Sequence, residues 1–146
     1  MGALRTIPRP ALAAGTAVLI FVGLLFAYVV DVTENGSGDP GGWLFVSVVA
    51  SLIAASLLVR YVPAVERDPD LENKPARRAL LLSILALITF PAFWLGLPFV
   101  LGVPGLVLAA EGQARAPGQG HGAEAVAASA VALVAIVSAL AACVAA

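Results

Sequence analysis

The chain is predicted to be all-α, a multi-pass transmembrane helical bundle of five spans, and three observations lead there. Hydrophobic residues make up 61% of the sequence and charged residues 12%, with a mean hydropathy of +1.01. That is more apolar surface than a water-soluble fold of this length could cover. The eight basic and nine acidic residues gather between long apolar runs and leave those runs uncharged. The runs themselves are about as long as a bilayer core is thick, since twenty helical residues rise roughly 30 Å.

The first span, 11–30, follows Arg5 and Arg9 and precedes Asp31. It is longer than the apolar part of a cleaved signal peptide and ends on no small-x-small site, so it reads as a retained anchor. The second span, 43–59, lies between Pro40-Gly41-Gly42 and Arg60. The loop joining these two spans carries three acidic residues and no basic one. Its spacing does not fit an EF-hand, and Asn35-Gly36-Ser37 is a formal glycosylation acceptor.

The polar segment 60–76 reads as a connector, because Pro63, Pro69 and Pro75 oppose a long helix. Arg60, Arg67, Lys74, Arg77 and Arg78 stand in or beside it. By the positive-inside rule these residues, with Arg5 and Arg9, place the N-terminus and this segment in the cytoplasm of a cell-membrane protein. Lys74, Arg77 and Arg78 cluster just before an apolar run, a pattern that also suits lipid headgroups.

The stretch 79–110 carries no charge. As one helix its thirty-two residues would measure about 48 Å, so it needs a break. The candidate turn or kink residues are Pro91, Gly96, Pro98, Gly102, Pro104 and Gly105. Gly96 can close one helix and Pro98 can open the next. The resulting spans are 77–95 and 98–114, and the alternative is four spans with a long or kinked third. Tyr28, Trp43 and Trp94 would then mark the outer interface.

The final span, 123–146, follows a Gly-rich linker and is half alanine. Ala125, Ala128, Ala132, Ala135, Ala139, Ala142 and Ala146 recur at steps of three and four. Such a seam lets helices approach closely, and its partner could be another span or another chain. Ser47, Ser51 and Ala55, and Gly105 with Ala109, offer similar surfaces.

Residues 79–146 resemble a short hydrophobic domain of unknown function found in small actinobacterial multi-pass membrane proteins. The likeness rests on Leu97-Pro98-Phe99-Val100-Leu101-Gly102-Val103-Pro104-Gly105-Leu106 and on the linker running into Ala125-Val126-Ala127-Ala128. The resemblance implies a membrane-embedded helical domain and no particular activity.

Chemistry is constrained by the scarcity of reactive groups. His121 is the single histidine and Cys143 the single cysteine, so neither a converging metal site nor a paired thiol is encoded. No cofactor, no nucleic-acid partner and no enzymatic activity are expected. Intramembrane carboxylates and bases, on which proton relays and coupled carriers depend, are missing from the predicted spans apart from Glu111 and Glu124 near their ends. The leading expectation is a non-catalytic accessory or scaffold subunit that packs against another membrane protein or against itself within the lipid bilayer. The alternative is a pore or transporter component for an uncharged solute, with 98–110 dipping into the membrane as a re-entrant element.

Overall fold

The computed structural model describes residues 2–28, 40–68 and 72–145. It is all-helical over these residues: α1 (Gly2–Thr6), α2 (Arg9–Tyr28), α3 (Pro40–Ser56), α4 (Val62–Arg67), α5 (Lys74–Ile88), α6 (Leu97–Gln119) and α7 (Gly122–Ala145). The acidic loop with Asn35, the end of the first predicted span and Ala146 lie outside the described residues.

Among the described residues four stretches are long and apolar enough to cross a membrane: Arg9–Tyr28, Pro40–Arg67, Leu97–Gln119 and Gly122–Ala145. The expected five-span bundle is therefore corrected to four such helices, and the missing one is 77–95. The α-helix that enters it, α5, has 15 residues from Lys74 to Ile88, or about 22 Å of rise against a core of roughly 30 Å. After Thr89 the chain tightens into a 3-10 turn, Phe90–Leu95, which contains Pro91 and a non-helical Ala92. The alternative count of four agrees with this, but its long or kinked third helix does not form, because the chain reverses at Gly96 and α5 lies beside α6. Ala50 is among the nearest neighbours of Gly96, and it lies seven residues, or about 10 Å, inward of Trp43 along α3. The hairpin turn thus sits within the bundle.

Gly96 adopts φ 70 and Pro98 falls in the first turn of α6. A Cβ at Gly96 would meet the Ala50 methyl at 3.3 Å in a left-handed conformation. Gly96→Ala should cost about 1–2 kcal/mol, measured as a lowered thermal midpoint in detergent. The other candidate breaks behave differently. Gly102, Pro104 and Gly105 are buried in the interior of the continuous helix α6, so they do not turn the chain and the expected re-entrant dip is corrected to regular helix. Gly102 and Gly105 are instead points of close approach, to Ile136 and Ser83.

The second correction concerns the connector 60–76. Helix continues past Val59 through Arg67, by way of a π-turn, Leu57–Tyr61. Pro63 has no N–H for the usual bond to Val59. The wider turn, with Val62 N–H donating to the Leu57 carbonyl, re-pairs the backbone just before it. Leu58 and Val62 are fully buried, and this burial overrides the proline's tendency to end the helix.

α5, α6 and α7 pack as a tight triad, while α2 and α3 form a pair laid against it. α6 is the central element, with Phe99, Val100, Val107, Leu108 and Ala109 all essentially inaccessible. The small seam of α7 faces this interior: Ala125, Ala128, Ala132, Ala135 and Ala139 are each fully buried, and Ala142 is partly so. Its partners are helices of the same chain, chiefly α5 and α6, so this face is not free for another protein. At the end of the bundle near Gly96, Trp43 donates from Nε1 to the Phe21 carbonyl at 3.0 Å and meets the Phe21 ring edge-on. Trp94, on the 3-10 turn, stacks edge-on against Phe93.

Candidate functional site: the polar end and two open grooves

The opposite end of the bundle collects charge from four distant segments. Arg9, at the start of α2, pairs with Glu66 near the end of α4. Arg115 of α6 donates to the Glu66 carbonyl and also pairs with Glu111 one turn earlier at 2.9 Å. Arg5 of α1 reaches the second Glu111 oxygen at 2.9 Å. Glu66, Glu111, Arg9 and Arg115 are half-sheltered, and Arg5 is exposed. Single exposed pairs contribute little. Here two carboxylates are shared among three guanidiniums, so the network orients α1, α2, α4 and α6 at a common level.

Asn73 closes the same end from within. It caps α5, its side-chain oxygen accepting from Ala76 N–H at 3.3 Å. Its amide nitrogen donates to the Gly112 carbonyl at 2.7 Å and to the Gly120 carbonyl at 2.9 Å. The residue is fully buried, so one side chain ties the start of α5 to α6 and to the turn before α7. That turn uses Gly120 at φ 76 and His121 at φ 60. His121 is exposed, and its Nδ1 lies 2.9 Å from Glu124. Sequence reasoning missed Asn73, Glu66, Glu111 and Arg115 as partners. The one local signal was Asn73-Lys74-Pro75, an N-cap residue ahead of a first-turn proline.

The topology-setting basic residues separate into three groups. Arg5 and Arg9 enter the network. Arg60 and Arg67 are exposed, whereas Lys74 pairs with Asp68 at 2.7 Å and Arg77 with Glu72 at 3.0 Å. Arg78 is exposed and makes no ion pair among the described residues.

Polar groups deeper in the bundle are mostly spent on their own helices. Thr16, Ser83 and Ser129 donate to the carbonyls four residues back, and Gln113 donates to Ser129 at 2.9 Å. Ser47 and Ser51 differ, with buried hydroxyls that have no hydrogen-bond partner. Ser51 borders an open groove of about 320 Å³ between α2 and α3, lined by Ala13, Ala14, Ala17 and Ala55 together with Phe21, Val48 and Leu52. A second open region runs along α5, from Lys74, Arg77 and Arg78 to Leu81, Ile84 and Leu85. Among the described residues no group of three or more His, Cys, Asp or Glu side chains could hold a metal ion, and Cys143 is a buried free thiol. No protein-family model, curated protein or solved structure matches the chain.

Proposed function

We propose that this multi-span membrane protein is a non-catalytic packing subunit that receives a transmembrane helix of another membrane protein in the groove between α2 and α3. The observation that carries the reading is an open groove in which Ala13, Ala14, Ala17 and Ala55 lie between Phe21, Val48 and Leu52, with the Ser51 hydroxyl buried at its wall without a partner. Small side chains let a neighbouring backbone approach, and a hydroxyl at that depth supplies an interhelical hydrogen bond. The α7 seam is already consumed inside the chain, whereas Ala14 and Ala17 of α2 and Ala55 of α3 border the open groove. Placement of the polar end in the cytoplasm belongs to the same proposal, since Arg5, Arg9, Lys74, Arg77, Arg78 and Arg115 lie on polar stretches there.

A photo-crosslinking residue at Leu52, beside Ser51 in the groove wall, should capture one defined membrane polypeptide in native membranes. The same probe at Val137, exposed on α7, should capture none. Ala17→Leu with Ser51→Leu should abolish the Leu52 adduct while leaving the helical content and thermal midpoint of the purified protein unchanged. Capture of a second copy of this chain at Leu52 would replace the heterologous partner by self-association. Glycerol entry into liposomes holding the purified protein, above protein-free liposomes, would overturn the packing role in favour of a pore.

A further inference from the structure

The two hollows along α5 form one continuous amphipathic surface. The upper hollow, about 360 Å³, is bordered by Glu72, Lys74, Arg77, Arg78 and Leu81. The lower, also about 360 Å³, is bordered by Arg77, Leu80, Leu81, Ile84, Leu85 and Glu124. Arg77 and Leu81 belong to both, so the cationic part opens directly onto the apolar part. The residues at 74, 77, 78, 81, 84 and 85 follow helical spacing and share one face of α5. No other helix covers that face, because Leu81, Ile84 and Leu85 remain 48%, 43% and 39% exposed.

Charge selects the occupant. In the lining of the upper hollow Lys74 is paired with Asp68 and Arg77 with Glu72, the latter an exposed pair that an incoming anion can exchange, and Arg78 beside them makes no ion pair among the described residues. The first turn of α5 contains no acidic residue, so these cations stand at the positive end of the helix dipole, where an anion is favoured. Eight residues separate Arg77 from Leu85, about 12 Å of helix. A compact anion would fill the upper hollow and leave the lower one empty. An amphiphile with an anionic head and an acyl chain fits both, at the depth where headgroups meet hydrocarbon.

We propose that this face of α5 is a binding site for an anionic phospholipid, its phosphate held by Arg77 and Arg78 and an acyl chain lying along Leu81, Ile84 and Leu85. The test is native mass spectrometry of the full-length protein in a neutral detergent, with equal amounts of dioleoyl-phosphatidylglycerol and dioleoyl-phosphatidylcholine. The parent should retain phosphatidylglycerol about tenfold over phosphatidylcholine. Arg77→Gln with Arg78→Gln should bring the ratio to about one, whereas Arg60→Gln with Arg67→Gln should leave it unchanged. Arg78→Gln alone removes an exposed group with no ion pair, so it tests the site without endangering the fold and should lower the ratio measurably. Leu85→Trp should reduce retention of the lipid by obstructing the chain groove. Equal retention of both lipids by the parent, or an unchanged ratio in both arginine variants, would overturn the proposal. So would displacement of the lipid by millimolar glycerol 3-phosphate, which would make the site one for a free phosphate. Capture of an acidic peptide in preference to the lipid would likewise refute it.

Discussion

Gly112→Ala is expected to lower the stability of the bundle by about 2–3 kcal/mol, the upper part of the range for overpacking a well-filled interior. A Cβ at this position would stand 2.8 Å from both the Cα and the N of Ala76, and 2.9 Å from its Cβ. Two of those three atoms are backbone, so no rotamer change relieves the clash and α5 must move away from α6. Displacement would also strain the Asn73 bond to the Gly112 carbonyl. Gly118→Ala is the matched comparison, because a Cβ there meets nothing within 4 Å on the same helix. It should be neutral or raise stability by up to about 1 kcal/mol through helix propensity. Thermal or denaturant unfolding in detergent, followed by circular dichroism, reads both. Equal midpoints for the two variants would show that α5 and α6 do not meet as closely as described.

Asn73→Ala should cost about 3 kcal/mol, combining a lost helix cap with two carbonyls deprived of their donor in a buried place. Asn73→Asp separates these roles. Aspartate still accepts from Ala76 N–H, but it cannot donate to the Gly112 and Gly120 carbonyls and would set a charge against them. It should therefore be at least as damaging as alanine. A near-parental midpoint for Asn73→Asp would reduce the residue to a simple cap. Because Asn73 and Gly112 touch, the double variant with Gly112→Ala should lose less than the sum of the single effects.

These two positions show how far the sequence could be read. Membrane residence followed from composition and run length, and the break at Gly96 followed from the Gly and Pro pairing, since both are local properties of the chain. The α7 seam was visible as a spacing, but spacing could not say which helices it meets. Glycines at 102, 105 and 112 look alike in the sequence to one at a turn. Whether such a residue bends the chain or admits a neighbour depends on what lies across from it.

The four-helix count was decided by tertiary structure in the same way. The run 77–95 is apolar enough for a span, yet Pro91 and Ala92 tighten it and packing holds the turn at Gly96 beside Ala50. The run 43–59 looked complete before Arg60, yet burial of Leu58 and Val62 carries its helix on to Arg67. The polar end could not be foreseen, because Arg9 meets Glu66 across 57 residues and Asn73 meets Gly120 across 47. The amino-acid sequence by itself determined the solvent of this protein, because transfer of apolar side chains into lipid depends on composition and length. Tertiary structure alone decided where helices end, which small residues are spent and which charges meet, because those outcomes depend on contacts between residues far apart in the chain.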